Sequence, residues 1–277
     1  VMLASAFSVN AAMENGKSYL LKSGSSYLSA ETDKTSADYG KLVYGSLNTS
    51  DLNEVVAGTW KVSTKTTSGA VVYTFVNKVT GMTLAVDPTL AKTATNGLSG
   101  DVTLGSGTVS EWAFDASNHM YSYFKSDSIV FFDNTGALNK GKIADLSTAL
   151  AVTEDVISTP IPISADDLNT LMWSVDSKDN YFALNMDPEV SKGKANHLTA
   201  TGLQAVSAGS GYVQLKAKDK KADDEQLYVV VDTAYYEGTE TSGQLLKYTY
   251  DVLNADNRLT GSYKFKFTYN VKEDKLY

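Results

Sequence analysis

One phrase recurs along this chain and limits the possible folds more than any other feature. Trp60-Lys-Val-Ser, Trp112-Ala-Phe-Asp and Trp173-Ser-Val-Asp stand about fifty to sixty residues apart and hold all 3 tryptophans. Each is followed by a polar turn and then a tyrosine-led run: Tyr73-Thr-Phe75, Tyr121-Ser-Tyr123 and Tyr181-Phe-Ala-Leu184. Ahead of each tryptophan lies a stretch that begins with a hairpin pattern, at residues 16–31, 70–87 and 120–133. Repetition at such a period is the mark of a structural unit that cannot bury its apolar face alone and must share a core with its copies.

Within these stretches the apolar residues alternate with polar ones, the spacing of a strand with one buried face. The alternation is clearest at residues 263–271. Tyr263, Phe265, Phe267, Tyr269 and Val271 share one face there, and Lys264, Lys266, Thr268 and Asn270 share the other. Helical spacing is weak, with one or two turns expected over Ala165 to Leu171. The 17 Tyr, 9 Phe and 20 Gly fit short aromatic strands joined by tight turns. The pattern predicts an all-β chain. A β-trefoil-like domain occupies residues 13–177, where three hairpin units share one core, and a second antiparallel β module occupies 178–277 and reads as cut short. Residues 1–12 (VMLASAFSVNAA) read as the end of a secretory signal peptide, with cleavage between Ala11 and Ala12.

Composition removes several functions. With 24 Lys+Arg against 32 Asp+Glu the formal charge is −8, which repels a polyanion, so no nucleic-acid partner is expected. Arg258 is the sole arginine, so bidentate phosphate forks are nearly absent. There is no cysteine, which rules out thiol catalysis, disulfides and thiolate metal sites. No apolar run is long enough for a transmembrane helix. Residues 136–143 nearly spell a phosphate-binding loop, but Ile143 stands where magnesium needs a hydroxyl, so a hairpin turn is expected. His119 and His197 lack a neighbouring nucleophile or a metal-ligand spacing and read as turn residues. The acidic runs Asp166-Asp167 and Asp223-Asp224-Glu225 read as solvated loops without a calcium-loop spacing. No catalytic residue, cofactor site or metal site is assigned, and the chain is not read as an enzyme.

Two resemblances rest on named residues. Residues 76–86 (VNKVTGMTLAV) are similar to the asparagine–glycine–leucine phrase of ricin-type trefoil lectins. Those lectins carry a glutamine two residues before each tryptophan, where this chain has Gly58, Ser110 and Leu171. Residues 5–22, 228–238 (YVVVDTAYYEG) and 263–269 (YKFKFTY) resemble large secreted cell-surface proteins of Bacteroidales, some of them surface-layer-like glycoproteins. That resemblance implies export and a structural or adhesive role on the cell surface, with other copies or glycans as partners. A carbohydrate-binding module is the alternative. It draws on exposed rings that could stack on sugars, with Tyr235, Tyr236, Tyr39 and Tyr44 as candidates. Asp127-Ser128-Ile129 and Asp232-Thr233-Ala234 match the Asp–Ser/Thr–apolar pattern of O-glycosylation, which makes Ser128 and Thr233 candidate attachment sites.

Overall fold

Glycine and polar turns cut the alternating runs into short antiparallel strands. A computed structural model describes residues 13–67, 69–93, 102–158, 161–169, 174–176, 181–184, 200–220, 226–236, 244–249 and 264–276. The expected signal segment, Trp173, His197 and the acidic run 223–225 lie outside the described residues. The fold is all-β with antiparallel sheets, and among the described residues the α-helices are the short α1 (Leu52–Ala57) and α2 (Ala165–Asn169). Contacts divide the chain into two units. One holds the described residues up to Ile161 together with Asn270–Leu276, and the other holds those of Pro162–Tyr269. The sequence reading placed its boundary after residue 177.

The first unit is a circuit of paired strands. Its strands are β1 (Ser18–Ser23), β2 (Ser26–Ala30), β3 (Leu42–Gly45), β4 (Thr59–Thr67), β5 (Ala70–Asn77), β6 (Ala113–Phe114), β7 (Met120–Lys125), β8 (Ser128–Phe132), β9 (Leu138–Gly141) and β10 (Thr153–Asp155). β1 pairs with β4 at Tyr19↔Trp60, and β4 runs beside β5 from Trp60↔Asn77 to Thr67↔Ala70. Tyr73 in β5 exchanges both backbone hydrogen bonds with Trp112, each 2.8 Å. The chain then continues into β6, which pairs with β7. At the head of β7, His119 bridges Ala151 and the Met120 N–H donates to the Leu150 carbonyl at 3.1 Å. β10 returns to β1 at Leu20↔Asp155 and closes the circuit.

All three expected hairpins form. β1 pairs with β2 (Leu21↔Leu28), β7 pairs with β8 (Ser122↔Val130), and the Leu84 N–H donates to the Phe75 carbonyl at 2.8 Å. Their inward residues meet in one core. Tyr19, Tyr73 and Met120 hold one station, Leu28, Leu84 and Val130 another, and Trp60, Trp112 and Leu150 a third, all buried in one cluster. Leu150 stands opposite Met120 in this cluster, and Trp173 lies outside the described residues. Trp60 and Trp112 are fully buried, and each indole N–H donates to a carbonyl at 2.8 Å, Leu28 for Trp60 and Leu84 for Trp112. Both rings thus bury their apolar area without stranding the donor.

Local chemistry sets the connections. Asp51 caps α1 by accepting the Asn53 N–H at 2.9 Å, and the helix buries Leu52, Val55 and Val56. Asn77 is fully buried yet satisfied. Its Oδ1 accepts from the Val79 and Thr80 backbone N–H at 3.1 and 3.0 Å, and its Nδ2 donates to the Ala57 carbonyl at 2.8 Å. The start of the lectin-like phrase is thus a locked turn that joins β5 to the bridged segment at Thr83–Val86. Gly58 stands at one of the glutamine positions of those lectins. A Cβ there would lie 2.6 Å from the Leu47 Cδ1, so a larger residue requires the Leu47 side chain to move.

The second unit carries a meander of β12 (Ser174–Asp176), β13 (Tyr181–Leu184), β14 (Ala200–Gly209), β15 (Tyr212–Lys220), β16 (Gln226–Tyr236) and β17 (Gln244–Thr249), each paired antiparallel with the next. Two further strands are β11 (Ile161–Ile163) and β18 (Phe267–Asn270). The alternation read at 263–271 holds in part: Phe265, Phe267, Tyr269 and Val271 are half-buried or buried and Lys264, Lys266 and Asn270 are exposed, but Thr268 on the polar face is half-buried as well. In α2, Ser164 and Asp167 form a reciprocal cap, and the Asn169 side chain exchanges two 2.7 Å hydrogen bonds with the Ala205 backbone.

Residues 270–276 then return to the first unit. The Ser18 N–H donates to the Lys272 carbonyl at 3.0 Å, and the Lys17 ammonium meets both Glu273 carboxylate oxygens at 2.8 and 2.7 Å. Lys272 pairs with Glu14, and Lys78 pairs with Asp274.

Candidate functional site

The first unit carries a polar cleft of about 610 Å³. Asp87, Pro88 and Thr89 form one wall, Thr108 to Glu111 a second, and Ser122 to Lys125 of β7 with Lys140 of β9 a third. Gly107 brings the first two walls together. A Cβ at that position would lie 2.0 Å from the Val86 backbone, so only glycine permits the approach. β7 supplies the third wall through its alternation. Met120 and Ser122 are buried, while Tyr123 and Lys125 face outward, Tyr123 with 41% of its surface exposed. The Tyr121 ring meets the Tyr123 ring edge-on at 5.6 Å and supports it from behind.

The charged groups of the cleft are held differently. The Asp87 Oδ1 accepts the Thr89 backbone N–H at 2.8 Å. That bond, with help from the Thr89 hydroxyl, holds the carboxyl below the usual aspartate range. A proton donor needs the opposite shift. Glu111 is ion-paired with Lys65, and its backbone carbonyl accepts the Ser122 hydroxyl. An exposed tyrosine and an ionised carboxylate that line one cleft can hold a sugar if both reach it: the ring covers the apolar face of the pyranose and the carboxylate accepts hydrogen bonds from its hydroxyls.

Tyr39, Tyr44 and Ser128, singled out from the sequence, do not line this cleft. Tyr44 is half-buried in β3 and packs on the core of the first unit. Its ring also lies where a Cβ on Gly136 would come within 2.7 Å. Tyr39 is half-buried in the loop between β2 and β3. Tyr235, Tyr236 and Thr233 belong to β16, and their side chains lie outside the described residues. Ser128 opens β8 opposite Lys125 and is half-buried. His119, expected as a turn residue, instead bridges Ala151 just after the turn at 116–117, its Nδ1 2.8 Å from Asp115 Oδ2 and its backbone N–H donating to Asp115 Oδ1 at 2.8 Å. Residues 136–143 form the turn, the strand β9 and the start of a 3₁₀ turn rather than a phosphate loop. Tyr123 appeared in the sequence as part of a tyrosine-led strand. The signal for its role was the alternation that sets it on the face opposite Met120 and Ser122.

No group of three or more acidic or histidine side chains among the described residues could hold a metal ion. No helix among them is long and apolar enough to cross a membrane. No protein-family model matches the chain, and no curated protein matches it.

Proposed function

We propose that this is a secreted, non-catalytic protein whose first unit is a β-trefoil that binds carbohydrate in the cleft around Tyr123. The trefoil reading draws on the closed circuit and on three hairpin arms that place Tyr19, Tyr73 and Met120, then Trp60, Trp112 and Leu150, at matching stations. The binding reading is carried by one observation: an exposed tyrosine ring shares a cleft with an ionised aspartate whose carboxyl is held down by a turn N–H. Rigid β-strands hold the ring, so it loses little freedom when a sugar stacks on it. The test is a glycan array probed with the purified chain, repeated with Tyr123→Ala. Saccharide signals that disappear in the variant, with circular dichroism unchanged, support the reading. A blank array, or identical signals from the variant, removes it.

A structural or adhesive surface role is the second reading. It is favoured by the six-stranded meander of the second unit, where among the described residues β17 ends the sheet order. An end strand of this kind can pair with another copy. Light scattering across a concentration series tests it, and a mass that stays monomeric throughout counts against it.

A further inference from the structure

We infer that the polar face of the β14–β17 sheet is a docking surface for an extended acidic polysaccharide. This face belongs to the second unit and the Tyr123 cleft to the first, so the two readings stand or fall separately.

Strand register sorts the sheet into two faces, because residues directly opposite each other share a face and successive residues alternate. One face is apolar. Ala205 pairs with Leu215, and Val213 exchanges both backbone hydrogen bonds with Phe265 at 2.8 and 2.9 Å. Ala205, Val213 and Leu215 are buried, and Asn169 of α2 is tied to the Ala205 backbone. The register carries this face on through the Val231↔Leu246 pair.

The other face is cationic. One row across four strands reads Gln204, Lys216, Tyr228 and Thr249, and beside it Val230 stands opposite Lys247. The Val213↔Phe265 pair sets Lys264 opposite Gln214 and Lys266 opposite Tyr212. A side-chain contact agrees with that register: the Lys266 ammonium lies 4.3 Å from the centroid of the Tyr212 ring, which is exposed. Lysines 216, 247, 264 and 266 thus stand on one face, and among the described positions paired in this way none is acidic. In a chain of formal charge −8 this is a local reversal of sign. Screening falls off over about 8 Å at physiological salt, so charges in contact with a ligand outweigh distant ones.

The residues between the lysines choose the partner. Gln204, Gln214 and Thr249 interleave with them, and amides and hydroxyls both donate to and accept from sugar hydroxyls. A polymer whose anionic groups alternate with hydroxyls meets both sets, the ammonium ions taking its anions as point charges. An anionic membrane calls for large apolar side chains to insert, and the paired positions of this face hold no leucine, phenylalanine or tryptophan. A nucleic acid carries denser charge and is repelled more strongly by the acidic remainder of the chain.

The experiment follows binding to the intact chain by calorimetry, with polygalacturonate against its methyl ester, a sulfated galactan against its desulfated form, oligothymidylate, and phosphatidylglycerol vesicles. At least one acidic polysaccharide is expected to bind about tenfold more tightly than its neutral match, and to weaken as sodium chloride rises from about 50 to about 500 mM. Lys247→Gln, Lys264→Gln and Lys266→Gln together should erase that preference, while Tyr123→Ala should leave it intact. On the unmutated chain, the bound polysaccharide should shield Lys264 and Lys266 from acetylation by acetic anhydride, read by peptide mass spectrometry, which does not depend on how the triple variant folds. Equal binding of acidic and neutral members, binding of neither acidic polymer, unshielded lysines, or loss of the preference in Tyr123→Ala overturns the inference. Tighter binding of oligothymidylate or vesicles than of either polysaccharide overturns it as well.

Discussion

Trp112 and Leu150 occupy matching stations in successive arms of one ring, and they hold those stations by different means. Both are buried, and both pair with the first inward residue of their arm, Trp112 with Tyr73 and Leu150 with Met120. The indole fills its pocket, stacks on Phe132 at 5.4 Å and donates to the Leu84 carbonyl. Leucine has no such donor. Its arm is held by backbone hydrogen bonds alone, including the Leu150 N–H to the Phe132 carbonyl at 2.7 Å, whereas Trp112 adds its indole bond to its backbone pair with Tyr73. Circuit geometry therefore tolerates a change of residue at the closing station as long as the pocket is filled and the polar groups find partners elsewhere.

The largest test of this comparison is Trp112→Ala. Removing a fully buried indole should cost about 3–5 kcal/mol through lost burial and a cavity, read as a lower midpoint in chemical denaturation. Loss of the Leu84 partner adds to the damage. Leu150→Ala should cost less, about 2–3 kcal/mol. An equal or greater loss at Leu150 would show that the third closure carries more of the core than the tryptophan closures do. Trp60→Phe isolates the donor that Leu150 lacks. It keeps a ring in the pocket but leaves the Leu28 carbonyl without its partner, at about 1–2 kcal/mol. A neutral result there would mean that the indole hydrogen bond contributes nothing to the difference between arms.

The smallest effect is a pH dependence in the third arm. Burial works to raise the Asp133 pKa, but hydrogen bonds from the Thr135 side chain and backbone, the Asn139 amide and the Ala137 N–H prevail and hold it below the ordinary value. A depressed carboxyl stabilises the folded state above its unfolded pKa near about 3.9. That contribution is lost as pH falls through the lower folded value. Wild type should therefore lose stability below about pH 4 more steeply than Asp133→Asn, measured by thermal melts across an acid series. Parallel acid profiles for the two proteins would dissociate the turn from the closure.

Much of the ring was legible because its determinants are local. The hairpins at 16–31, 70–87 and 120–133 announce themselves through alternation and through turns that Gly24, Asn77 and the Lys125–Ser128 segment can make. The third closure was not legible. Leu150 sits in a stretch, Ala149-Leu150-Ala151-Val152, that reads like any apolar strand, while Trp173 is a rare residue in a similar phrase. Its place depends on a backbone pairing with Phe132 and Met120 that no nearby residue encodes. The cleft was half legible. Tyr123 follows from strand alternation, but Asp87, Glu111 and Lys140 meet only because distant strands and the close approach at Gly107 fold them together. The aromatic residues picked for sugar stacking were chosen for exposure, and Tyr44 shows why such a choice misleads: on a strand of this ring an aromatic has two faces to choose from, and packing decides.

The return of residues 270–276 has a mechanical consequence. Glu14 and Lys17 near the start of the first unit are clasped to Lys272 and Glu273, so tension applied between Met13 and Asp274 is carried in shear across those contacts and the ring. Cutting the chain once between residues 162 and 269 would likewise leave residues 270–276 docked on Lys17, Ser18 and Glu14 and not set free.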